Sequence, residues 1–117
     1  MNLSELARLL RADILVETKH MDRKPVRHVV ACDLMSDVLV ADHEDHLLVT
    51  SLASAQSVRT ASLVGAAGVL LVNGKPLPAG MQELARELDV TLLRTPLPKF
   101  EACVAIGRAL DAGKAGA

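Results

Sequence analysis

Short apolar runs along this chain are each closed by a polar cluster. Val29-Val30-Ala31-Cys32 runs into Asp33-Leu34-Met35-Ser36-Asp37, and Leu47-Leu48-Val49 into Thr50-Ser51. Val69-Leu70-Leu71-Val72 runs into Asn73-Gly74-Lys75, and Val90-Thr91-Leu92-Leu93 into Arg94-Thr95-Pro96. Set side by side as parallel strands, these segments place all four clusters along one edge of a sheet. That edge is where open α/β sheets bind their ligands.

The intervening segments carry helical spacing. Asn2 with Glu5 resembles a capping box, and Leu3, Leu6, Ala7 and Leu10 follow at helical intervals, which predicts a helix over Leu3–Ala12. Ile14–Val16 is a short strand candidate, and His20–Pro25 a polar loop. Strands are predicted at Val26–Cys32, His46–Thr50, Gly68–Val72 and Val90–Leu93. Asp33–Asp42 reads as a short helix, with Ser36 and Asp37 as good N-cap types, because a crossover must join the flanking strands. Ser54–Val64 is a helix closed by Gly65, and Met81–Leu88 is another after the Pro/Gly loop Asn73–Gly80. Pro98 opens a last helix to about Ala112, followed by a frayed tail, Gly113–Ala117. The alternation predicts an α/β fold: a mainly parallel sheet of four to five strands with helices packed on it, one domain over residues 1–117.

Composition narrows the function. Half the residues are hydrophobic, nearly all aliphatic, and Phe100 is the only aromatic. Single-strand nucleic-acid binders need aromatic platforms in a basic groove. With a net charge of −1 and no such groove, nucleic acid and anionic membrane surfaces are set aside as partners. No apolar stretch is long enough to span a bilayer, and no basic segment precedes an apolar run at Met1, so the expected compartment is the cytoplasm. Cys32 and Cys103 lie far apart in apolar settings and are expected to be free thiols.

Several chemical readings fall away. Gly68 to Gly74-Lys75 has the wrong spacing for a phosphate-binding loop, and Pro76 stands where a hydroxyl residue belongs. His43 and His46, with Glu44 and Asp45 between them, make too small a set for a zinc site and read as solvated, while His20 and His28 stand alone. No catalytic residue, metal site or cofactor is predicted. Asp33, Ser36 and Asp37 either cap a helix or hold a ligand. Gln56, Arg59 and Thr60 share helical spacing, and Arg59 is placed to pair with Asp33 or Asp37, or to accept an anion.

Three segments resemble the DRTGG domain family: Ala31-Cys32-Asp33-Leu34-Met35-Ser36-Asp37-Val38-Leu39, Gln56-Ser57-Val58-Arg59-Thr60-Ala61, and Thr95-Pro96 followed by Phe100-Glu101-Ala102-Cys103. They are most similar to short stand-alone members found near iron-only hydrogenase genes. The resemblance implies a fold like the N-terminal domain of HPr kinase. It also implies a regulatory role, as in relatives beside CBS domains and inside long phosphotransacetylases. The chain lacks a contiguous Asp-Arg-Thr-Gly-Gly string, and Ser51-Leu52-Ala53-Ser54-Ala55 stands where relatives often carry Gly.

Two readings stay open. One is a non-enzymatic cytoplasmic regulatory module that binds a small anionic ligand, such as a nucleotide, through Asp33, Ser36, Asp37, Thr50, Ser51, Gln56, Arg59, Thr60, Asn73 and Thr95. The other is a homodimeric interaction protein or adaptor for a redox or hydrogenase-linked complex, with no small-molecule ligand; self-association as a homodimer is expected under both.

Overall fold

The computed structural model describes residues 1–41 and 45–115, with backbone alone at 113–115. Among the described residues, five strands build one sheet: β1 (Asp13–Val16), β2 (His28–Ala31), β3 (His46–Thr50), β4 (Gly68–Leu71) and β5 (Leu92–Arg94). The helices are α1 (Leu3–Leu9), α2 (Met35–Leu39), α3 (Ala55–Val64), α4 (Met81–Glu87) and α5 (Lys99–Ala115). The strand order is β1-β5-β4-β3-β2. Strands β2 to β5 are mutually parallel, and β1 joins the outer side of β5 antiparallel. The four predicted polar clusters therefore do end along one edge.

Alternation along the strands feeds two cores. Leu47, Val49, Leu70, Val72 and Leu93 pack against Leu3, Leu6 and Leu10 of the α1 segment and Ala102 and Ile106 of α5. Leu48, Val69, Leu71 and Leu92 face the opposite way, onto Met35 and Val38 of α2, Val58 and Ala61 of α3, and Met81 and Ala85 of α4. Helices cover both faces, so β3 and β4 are buried at every position, which explains their unbroken apolar runs. Each β–α–β crossover from β2 to β5 steps one strand in the same direction, and right-handed connection then puts α2, α3 and α4 on one face. The order never reverses within the parallel set. The crevice that a reversal would open is absent there, so any site on this edge depends on the side chains at the strand ends.

Local chemistry sets the element ends. The Asn2 side chain accepts from the Glu5 N–H at 2.9 Å and starts α1. The helix expected over Leu3–Ala12 stops at Leu9, because Arg11 adopts a left-handed backbone (φ 51°) that turns the chain into β1. Gly65, at φ 68°, closes α3 as its sequence position implied. Ser36 and Asp37 do not cap α2; they lie inside it, and its N-cap position is Leu34, with no side-chain bond. The expected strands Val26–Cys32 and Gly68–Val72 shorten to His28–Ala31 and Gly68–Leu71. The strand expected from Val90 begins at Leu92, since the Val90 N–H instead bonds the Ala85 carbonyl at 2.9 Å. Helix α5 passes Ala112 and reaches Ala115, and residues 116–117 of the expected tail lie outside the described residues.

Candidate functional site

The β2 and β3 ends meet at Asp33. Its Oδ1 accepts from Thr50 Oγ1 at 2.9 Å and from the Ser51 N–H at 2.7 Å. Its Oδ2 accepts from Ser51 Oγ at 2.7 Å and from Lys99 Nζ at 2.6 Å. The carboxylate thus ties β2 to the chain leaving β3 and to the first residue of α5. Burial pushes the Asp33 carboxyl up, but the bonds from Lys99, from the Ser51 hydroxyl and N–H, and from Thr50 outweigh it and hold the group well below the usual carboxylate range. Asp33, Thr50 and Ser51 are brought together as a saturated brace. Asp33 serves the strand ends, not the N-terminus of α2.

The cation on Asp33 is Lys99, where the sequence pointed to Arg59. Arg59 lies instead with Ser62, Leu63, Leu84 and Leu88 over the groove between α3 and α4. Gln56 is exposed on the first turn of α3, while Thr60 is turned inward and buried. Ser36 and Asp37 are exposed on α2. Thr95 is fully buried, and its hydroxyl donates to the Leu10 carbonyl at 2.8 Å. Asn73 is exposed, with a left-handed backbone at φ 64°.

A second assembly occupies the other end of the same edge, where β4, β5 and β1 meet. A cavity of about 440 Å³ is lined by Arg11, Asp13, Gly74, Pro76, Arg94 and Pro96. Because β1 runs antiparallel to β5, its first residue, Asp13, pairs with Arg94, the last of β5. Arg94 Nη2 stands 3.4 Å from Asp13 Oδ2, and its Nη1 donates to the Lys75 carbonyl at 3.4 Å. Asn73 and Gly74 turn the β4–α4 loop through consecutive left-handed conformations, at φ 64° and 58°. Their N–H groups bond the Leu97 and Thr95 carbonyls at 2.8 and 2.9 Å and clamp that loop to the β5–α5 loop. Among the described residues neither Arg11 nor Lys75 has an ion-pair partner. This end of the edge carries the surplus positive charge.

Sequence reasoning missed Lys99, Arg11, Asp13 and Gly74 as site residues, and it named the Arg94 cluster for Thr95. Arg94 carried a signal, since it ends a strand on the C-terminal edge of the sheet. Arg11 and Asp13 carried none, because only the antiparallel placement of β1 brings them there.

Other candidate chemistry is not assembled. Among the described residues no group of three His, Cys, Asp or Glu could hold a metal ion, and His43 and Glu44 lie outside those residues. Cys32 and Cys103 are free, as expected. The Cys32 thiol donates to the Leu34 carbonyl at 3.3 Å. Burial pushes the Cys103 thiol up against the opposing pull of Lys99, which disfavours a reactive thiolate. No helix among the described residues is long and apolar enough to cross a membrane.

The fold and its charged edge define an α/β module with a mainly parallel sheet and helices on both faces. The family model of the DRTGG domain matches residues 5–109, and the chain belongs to that family. A solved structure with the same fold holds the CBS and DRTGG domains of the regulatory region of Clostridium perfringens pyrophosphatase, complexed with its activator, diadenosine tetraphosphate. The TM-score is 0.73 at 17% identity, covering 90% of this chain and 45% of that one, so the match spans under half of the solved chain. No curated protein matches the sequence.

Proposed function

We propose that the chain is a non-enzymatic regulatory module, one domain over residues 1–117, that binds a small anionic ligand at the C-terminal edge of its sheet. The observation that carries this reading is the charge of Arg11, which lines a cavity of small-molecule size on that edge and has no ion-pair partner among the described residues. The edge has two unlike ends. At β2–β3, the Asp33 charge is already satisfied and would repel an anion. At β5–β1, Arg94 shares Asp13 while Arg11 stands open to solvent. The nucleotide activator of the pyrophosphatase regulatory region supports a nucleotide as the ligand class to test first. The proposed setting is the cytoplasm, with neither nucleic acid nor membrane as partner.

A thermal-shift screen of nucleotides and central phosphorylated metabolites tests this reading. An anion bound only by the folded state, at about 100 times its Kd, is expected to raise Tm by several degrees in a domain of this size. A flat response across the anionic panel contradicts it.

A second reading, a homodimer or an adaptor for a redox or hydrogenase-linked partner, is favoured by one observation. Leu34, Leu39, Val40 and Phe100 leave large apolar side chains in solvent, with Val40 79% and Phe100 78% exposed. Leu34 and Phe100 flank the Asp33–Lys99 bridge, so such a contact would sit at the β2 end of the molecule, away from the anion site.

A further inference from the structure

We infer that the cavity formed by Arg11, Asp13, Gly74, Pro76, Arg94 and Pro96 is a binding site for a phosphomonoester carried on a small organic body. This rests on the anionic-ligand reading above and specifies the ligand's chemistry and the residues that hold it.

Charge and geometry select phosphate over carboxylate. Arg94 already has one carboxylate beside it, with Asp13 Oδ2 at 3.4 Å. A monocarboxylate ligand would bring only what Asp13 already supplies, and would have to displace it. A phosphomonoester carries close to two negative charges at neutral pH and three acceptor oxygens. It can engage the Arg11 guanidinium and the free donors of Arg94 together, in the forked geometry that guanidinium groups offer to phosphate. Lys75 stands between the lining residues Gly74 and Pro76 in the chain, and its backbone carbonyl accepts from Arg94 Nη1 at 3.4 Å, so a third cation lies close by in sequence.

Volume indicates the organic body. About 440 Å³ is more than a phosphate group alone requires and lies within the range of small-molecule sites. Pro76 and Pro96 add two rigid, apolar residues to the lining. The cavity floor is firm on one side: Gly74 is tied to the Thr95 carbonyl at 2.9 Å, and Thr95 to Leu10 at 2.8 Å. The turn that carries Arg11 is therefore anchored to the same loops that carry the prolines. A ligand bridging Arg11 and Arg94 would bind elements already held in place, with little ordering cost.

The test is calorimetric titration of the whole chain with AMP, inorganic phosphate and succinate at low ionic strength. Wild type is compared with Arg11→Ala, Arg11→Lys and Arg59→Ala. Arg11 is exposed and has no ion-pair partner among the described residues, so its alanine variant is expected to keep the wild-type Tm without ligand. The expected result is that AMP binds, inorganic phosphate binds more weakly, and succinate does not. Arg11→Ala weakens AMP binding about tenfold or more, in keeping with the loss of a charge-assisted contact. Arg11→Lys restores part of the affinity, and Arg59→Ala leaves it unchanged. AMP or phosphate binding that is indifferent to Arg11 overturns this inference while leaving the broader reading in place. Succinate binding as tightly as AMP also overturns it. No response to any of the three, with other anions stabilising the protein in the thermal screen, overturns the phosphate assignment alone. Silence in both experiments overturns the two together.

Discussion

Gly68→Val is expected to destabilise the fold by about 3 kcal/mol, at the upper end for overpacking a filled core. Gly68 begins β4, with β3 on one side and β5 on the other. A Cβ at this position would stand 3.0 Å from Leu3 Cδ1 and 3.2 Å from the Thr91 carbonyl oxygen. Leu3 is fully buried on α1 and has little room to move. The Thr91 carbonyl accepts from the Val69 N–H at 2.9 Å, so shifting it strains the β4–β5 junction. Glycine here lets α1 approach the sheet closely; its conformational freedom plays no part. Urea unfolding is expected to show the loss for valine and a smaller one for alanine. A valine variant as stable as wild type would contradict the packing described for α1.

Asp33→Ala is expected to cost about 2 kcal/mol at neutral pH, the scale for breaking charge-assisted hydrogen bonds at a partly exposed site. The change strands the hydroxyl of Thr50, a fully buried residue, together with the Ser51 N–H and hydroxyl and the Lys99 ammonium. The side chain of Asp33 is 45% exposed, so water recovers part of what is lost, which keeps the figure below that of a fully buried charge. The pH dependence has a definite sign. The folded-state pKa lies below the unfolded value, so the charged contribution is complete above about pH 4 and fades as pH falls toward the folded value. The stability gap between wild type and Asp33→Ala is therefore expected to narrow between about pH 4 and pH 2. Denaturant unfolding at several pH values checks it, and a gap that widens in acid would contradict the bonding pattern at Asp33.

Much of the fold could be read in advance because its signals are local. The apolar runs of β3 and β4, the Asn2 cap and the Gly65 stop each state their own conformation within a few residues. Boundaries slipped where a backbone turn outweighed side-chain pattern, as at Arg11, whose positive φ ended α1 early. The site was legible in part. Asp33, Thr50 and Ser51 were expected together at the strand ends, and the structure joins them directly as a brace at the β2–β3 end. Their cation was misread because helical spacing favoured Arg59, whereas Lys99 reaches the same carboxylate from a helix on the opposite face of the sheet. That contact spans 66 residues, and nothing in either local segment announces it. The Arg11–Arg94 cavity was hidden for the same reason. It forms only because β1, distant in sequence, adds antiparallel to β5 and carries the turn after α1 to the C-terminal edge of the parallel strands.

An amide chemical-shift titration with AMP tests most directly whether the C-terminal edge of the sheet is the ligand site. Perturbations are expected to concentrate at Arg11, Asp13, Gly74, Lys75 and Arg94, with the α3–α4 groove around Leu63 and Leu88 unmoved. Perturbations centred on that groove, or none at the β5–β1 end, would contradict it.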